Sequence, residues 1–184
     1  MLRQIFRPLS GSGQVLRLVL GLLGLLLLAQ GCSSRVVRPP NSPSVDPTAE
    51  RLGQAGDRAM GVVQTARGQI GAPYVYGGDS PDEGFDCSGL VYWVYRQNGV
   101  EVPRVSGDQY RVGKPVTREE LKPGDMVFFK LPGKGSSLHA AIYSGQETFI
   151  HSPKAGSSVR EEPLEARYWL GHYLGARRVV QDNE

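Results

Sequence analysis

The stretch that most constrains this chain runs Gly84-Phe85-Asp86-Cys87-Ser88-Gly89-Leu90-Val91-Tyr92-Trp93-Val94-Tyr95-Arg96-Gln97-Asn98-Gly99. Asp86 is of the type that caps a helix start by accepting a backbone N–H, Leu90, Val91, Val94 and Tyr95 recur at helical spacing, and Gly99 suits a helix end. The pattern predicts a loop that turns into a helix with Cys87 in its first turn. There the unpaired backbone N–H groups and the positive end of the helix dipole favour thiolate over thiol, and the thiolate is the nucleophile. A cysteine in an apolar helix is also an ordinary small core residue, so this stretch alone supports both readings.

A chain of 184 residues accommodates one domain with a sizeable core plus appendages. Three of its 21 basic residues, Arg3, Arg7 and Arg17, precede Cys32 and no acidic residue does, which leaves 18 of each sign from there onward. A neutral remainder offers no electrostatic footprint for nucleic acid. The same three arginines, followed by the leucine-rich run from Leu18 to Ala29, read as an export signal over residues 1–31, too short to span a bilayer comfortably. It closes on Leu28-Ala29-Gln30-Gly31-Cys32-Ser33, which resembles the lipobox of bacterial lipoproteins, with Ala29 where a leucine is usual. The expectation is acylation at Cys32 and anchoring on the periplasmic side of the outer membrane, Ser33 standing where an aspartate would divert sorting; the alternative is an ordinary cleaved signal or a short retained anchor. Residues 32–54, with Pro39, Pro40, Pro43 and Pro47, read as an extended tether.

The folded domain is expected over residues 55–184. Ala59, Val62, Val63, Ala66 and Ile70 mark an amphipathic helix that stops at Gly71-Ala72-Pro73, followed by the aromatic segment Tyr74-Val75-Tyr76 and a polar loop, Asp79 to Gly84. After the Cys87 helix, Val102 to Gly113 reads as loop or short irregular helix, and Leu121-Lys122-Pro123-Gly124-Asp125 as a turn into the strand Met126 to Phe129. Strands follow at His139 to Tyr143, Glu147 to His151, Ser158 to Glu161 and Leu174 to Val180. Helices first and a mainly antiparallel sheet second make an α+β pattern.

The hairpin from His139 to His151 carries a second piece of chemistry. With Ser144-Gly145-Gln146 as a three-residue loop and Tyr143 opposite Glu147, His139 falls opposite His151, at about 4.5–5.5 Å between Cβ atoms. A one-residue bulge would turn one of them to the other face. A thiol hydrolase needs a thiolate to attack, an imidazole to take and return the proton, and a polar group to hold that imidazole in one tautomer; Cys87, His139 and His151 supply one each. His172 has no comparable partner in the sequence and reads as a surface or packing residue. With Cys32 acylated or removed, Cys87 is the single thiol of an exported protein, where a reduced thiol is a liability unless buried or used. One cysteine with two histidines can also bind zinc, but the chain has no CxxC or HExxH spacing to support a metal site.

Tyr74-x-Tyr76-Gly77-Gly78, Asp86-Cys87-Ser88-Gly89, Pro103-Arg104, Leu121-Lys122-Pro123-Gly124-Asp125, His139-Ala140-Ala141-Ile142-Tyr143 and Phe149-Ile150-His151 follow in the order of the NlpC family of papain-like cell-wall cysteine peptidases, which the chain resembles from roughly Val62 to Val180. The resemblance implies a papain-like α+β fold with Cys87 as nucleophile, His139 as base and His151 orienting it. It further implies that Tyr74 helps to bind substrate or the oxyanion. Tyr76, Asp86, Ser88 and Arg104 are candidate substrate-binding residues, Arg104 and Arg111 for substrate carboxylates. Where the family usually has valine and glycine after the first histidine, Ala140-Ala141 is expected to narrow the groove slightly. The implied activity is hydrolysis of amide bonds in peptidoglycan stem peptides or crosslinks, by a monomer without cofactor. A non-catalytic wall-binding lipoprotein, and an amidase or acyltransferase on the same scaffold, are the alternatives.

Overall fold

The computed structural model describes residues 46–133 and 138–180. The expected signal segment, Cys32 and most of the expected tether lie outside the described residues.

Helix α1 spans Pro47–Arg67. Asp46 caps it by accepting the Thr48 N–H at 2.9 Å, and Pro47 stands where a helix does not need the missing N–H. It therefore starts at Pro47, ahead of the expected domain start at residue 55, so the end of the expected tether is helical, and it ends at Arg67, before Ile70. Proline read as a linker residue is here a start signal because an aspartate precedes it. Only the later turns bury a stripe, Val62, Val63 and Ala66, after Ala55.

Beyond α1, Pro73 to Val75 runs as an extended segment between two neighbours. Tyr74 donates its N–H to Ser157 O at 2.9 Å, Val75 donates to Phe85 O at 3.1 Å, and Phe85 donates to Pro73 O at 3.0 Å. The stretch read as a polar loop folds back as two short strands, β1 (Asp79–Ser80) and β2 (Gly84–Phe85). Helix α2 spans Cys87–Gln97 and packs on α1, buries Leu90, Val91, Val94 and Tyr95 and ends at Gly99, whose φ of 69° lets Val100 N–H reach Tyr95 O at 3.0 Å and Gly99 N–H reach Arg96 O at 3.1 Å. This is the glycine-terminated closure expected from the sequence.

The rest of the chain is α3 (Ser106–Gln109), β3 (Lys114–Val116), a 3-10 turn (Arg118–Glu120), β4 (Met126–Phe129), β5 (His139–Gly145), β6 (Thr148–His151), β7 (Arg160–Pro163), α4 (Arg167–His172) and β8 (Tyr173–Arg178). The strands β3 to β8 form one sheet in the order β3-β8-β4-β5-β6-β7, with every pair antiparallel. Both faces of β4 are covered, which is why it reads as an unbroken apolar run. Met126 and Phe128 join Leu90, Val94, Ala140 and Ile142 on the helix side, and Val127 and Phe129 join Ala141, Phe149, Leu164 and Trp169 on the other.

The hairpin differs from the sequence expectation. Ile142 pairs with Ile150, Tyr143 with Phe149, and after a bulge Gly145 pairs with Thr148. Gln146 and Glu147 make the turn, with φ of 52° and 55°, in place of Ser144-Gly145-Gln146. The register is two residues from the expected one, so His139 and His151 are diagonal neighbours rather than directly opposed. A shift of two preserves the alternation of faces, and both imidazoles remain on the same side of the sheet.

Candidate active site

The site forms where the start of α2 meets the ends of β5 and β6. Asp86 enters α2 in extended conformation, with φ of −84° and ψ of 176°, and caps it by accepting the Gly89 N–H at 2.6 Å. Cys87 follows as the first helical residue and is half-buried. Burial disfavours the Asp86 carboxylate, but hydrogen bonds from Arg104, Gly89 and Ser88 outweigh it and hold its carboxyl below the usual range. Tyr74 lies beside this turn. Burial, followed by the neighbouring Cys87 and Asp86, pushes its phenol up, so that it stays protonated and can donate. Tyr76 is 91% exposed and free to meet a ligand.

Arg104, expected to meet substrate carboxylates, clamps this turn. Its Nε donates to Asp79 at 3.1 Å, its Nη1 to Asp86 and Ser88 at 3.0 Å each, and its Nη2 to Gly77 O at 2.8 Å and Asp86 at 2.9 Å. A guanidinium has five N–H donors, and these acceptors occupy them. Ser88 is buried and donates to Asp86 at 3.1 Å, so Asp86 and Ser88 join Arg104 in shaping the turn. Arg111 is largely exposed and pairs with Asp108 at 2.8 Å. Ala140 and Ala141 are fully buried in the two core layers and leave the width of the groove untouched.

On the sheet side, His139 Nε2 lies 2.8 Å from His151 Nδ1, with the rings perpendicular and both side chains inaccessible to solvent. Burial, with the Arg160 charge adding to it, lowers the His151 imidazole to about 3, so this ring is neutral under ordinary conditions. Ser152, the next residue, donates its hydroxyl to Phe85 O at 2.7 Å. That bond fastens the end of β6 to the residue two before Cys87. His172 lies apart from the pair, its ring packed on Tyr168 and its Nδ1 2.7 Å from Tyr168 O.

Three side chains at this site escape the sequence reading. Trp169 stacks on His139 with 5.7 Å between ring centres and meets His151 edge-on at 4.9 Å. Glu162 accepts from the Trp169 indole N–H, pairs with Arg160, and places Oε1 3.5 Å from His151 Nε2. Ser152 is the third. A signal existed for Glu162: Arg160 and Glu162 are two apart, on one face of a strand next to β6, where they pair with His151 and Phe149. Among the described residues no group of three or more His, Cys, Asp or Glu is placed to hold a metal ion.

Residues 71–178 match the model of the NlpC/P60 family. The chain is 46% identical over 115 residues to murein DD-endopeptidase MepH of Escherichia coli (strain K12), covering 61% of this chain and 42% of the relative. It is 42% identical over 120 residues to γ-D-glutamyl-L-lysine dipeptidyl-peptidase of Bacillus cereus, covering 65% and 36%. The chain thus spans less than half the length of these two curated relatives. The crystal structure of the NlpC/p60 domain of peptidoglycan hydrolase SagA superposes with a TM-score of 0.57 at 33% identity, over 66% of this chain and 98% of that domain. With its helices packed on an antiparallel sheet and a cysteine-led helix beside a histidine pair, the chain belongs to the NlpC/P60 family.

Proposed function

We propose that the protein is a cysteine endopeptidase that hydrolyses amide bonds in peptidoglycan stem peptides or their crosslinks. The observation that carries this reading is the buried His139–His151 pair, 2.8 Å apart, on a strand end hydrogen-bonded through Ser152 to the turn that presents Cys87. In this reading the Cys87 thiolate adds to the scissile carbonyl carbon, and the oxyanion takes hydrogen bonds from the Tyr74 phenol and a backbone N–H at the start of α2. His139, as imidazolium, gives its proton to the leaving amine as the C–N bond breaks, and His151 accepts from its other ring nitrogen. Water then adds to the thioester, His139 takes its proton, and the C–S bond breaks to release the new carboxylate. The printed names of the relatives, a murein DD-endopeptidase and a γ-D-glutamyl-L-lysine dipeptidyl-peptidase, support this substrate class. The exposed Tyr76 is the residue best placed to meet the peptide. We further propose that the protein acts as a monomer, anchored by an acylated Cys32 on the periplasmic face of the outer membrane.

The test is digestion of purified peptidoglycan by the full chain and by Cys87→Ala, with the products separated and weighed. Loss of crosslinked dimers or new cut stem peptides, absent with Cys87→Ala, is the expected result and identifies the bond. Release of intact stem peptide from the glycan would make it an amidase, and no change with either protein would leave a wall-binding domain.

A further inference from the structure

Two neutral imidazoles can share one hydrogen bond in two ways, which differ in which ring donates. For His139 and His151 the choice matters, because His139 can act as a base through Nδ1 only when its Nε2 carries the proton and donates to His151 Nδ1. His151 must then be the tautomer protonated on Nε2. The atom facing that nitrogen is Glu162 Oε1, at 3.5 Å. At this range the contact is electrostatic rather than a full hydrogen bond, and Arg160 shares the same oxygen. A carboxylate oxygen still attracts a ring N–H and repels a ring lone pair, and around a ring with no solvent exposure little water competes.

Glu162 is also held in place. Its other oxygen accepts from the indole N–H of Trp169, and that indole is the plate stacked on His139 and set edge-on to His151. One carboxylate thus touches one ring of the pair and, through Trp169, packs against both. Its outer side, with Trp169, Lys154, Arg160 and Tyr168, lines a cavity of about 550 Å³.

We infer that Glu162 is a positioning residue that sets the tautomer of His151 and thereby the direction of the His139–His151 hydrogen bond. The inference rests on the reading of His139 as the catalytic base. It says that the relay extends one residue beyond the histidine pair, to a carboxylate that touches neither substrate nor Cys87.

The test uses the full chain labelled with ¹⁵N at histidine, with the His151 ring signals assigned by their loss in His151→Gln. The expected wild-type spectrum has the His151 proton on Nε2. Glu162→Leu, which removes the acceptor, moves that proton toward Nδ1 and lowers kcat on peptidoglycan roughly tenfold or more with KM within about twofold, as loss of an outer orienting partner does elsewhere. Glu162→Gln, which keeps an amide oxygen, retains the tautomer and most of kcat. A wild-type His151 protonated on Nδ1 overturns the inference without any variant. So does Glu162→Leu if it changes only the tautomer or only kcat. Should Glu162→Leu fail to fold, the wild-type spectrum and Glu162→Gln decide. If the wild type cleaves no peptidoglycan, it is the functional reading that fails, and the tautomer measurement still reports on Glu162 separately.

Discussion

Burial lowers the His151 imidazole to about 3 from its usual 6.5, with the Arg160 charge adding to the effect. Between these values the unfolded chain binds a proton that the folded one refuses, so stability is complete above pH 6.5 and falls as the pH drops through the window. The slope contributed by one such group approaches about 1.4 kcal/mol per pH unit. Asp86, Glu120 and Glu161, all held below their ordinary values of 3.8 or 4.5, begin to add their own losses roughly one pH unit above those values. The interval from about pH 6.5 to 5.5, above the onset of those losses, is therefore where the His151 contribution is read. Urea unfolding across it is expected to show the slope in the wild type and a flat line in His151→Gln; a slope that persists in the variant would place its origin elsewhere. The hydrogen bonds of Asp86, Ser88 and Arg104 close on one another and on the backbone of Gly77 and Gly78, a network the sequence does not show.

At the scale of elements, α2 reaches its place because Gly89 has no side chain. A Cβ there would lie 2.1 Å from Gly78 O and 2.9 Å from Arg104 Nη2, inside the turn that Arg104 clamps. Gly89→Ala must separate the first turn of α2 from the Gly77-Gly78 loop. It is expected to cost roughly 2–3 kcal/mol, the upper range for overpacking a buried contact, and to abolish peptidoglycan cleavage by displacing Cys87. Chemical denaturation and the digestion assay check the two halves; a variant with wild-type stability and activity would show that the close approach is dispensable. The hairpin makes the complementary point. Its turn residues, Gln146 and Glu147, both adopt left-handed φ, which the sequence does not advertise because glycine or asparagine is the usual choice there. The obvious glycine, Gly145, sits in a bulge instead, and the register moves by two.

At the scale of the whole molecule, the proposed anchor at Cys32 predicts where the protein is found. The acylated chain is expected in the membrane fraction with the mass of its acyl groups, each buried methylene contributing about 0.8 kcal/mol to retention, and Cys32→Ser in the soluble periplasmic fraction. A Cys32→Ser variant that still sediments with membranes would point to a retained signal segment in place of lipid.

The helix that begins at Cys87, its Asp86 cap and its Gly99 closure were legible because each depends on residues within five positions of one another. The shared face of His139 and His151 was legible too, since strand alternation survives a register shift of two. What the sequence by itself determined is therefore the local conformation that places a thiol at a helix start and two imidazoles on one face of a hairpin. Only the tertiary structure decided the register of β5 on β6, the engagement of Arg104, the Ser152 tie to Phe85, and the seating of Glu162 and Trp169 around the pair. Those depend on contacts between segments distant in the chain, whose pairing is set by packing of the whole core and leaves no periodic trace in any one segment.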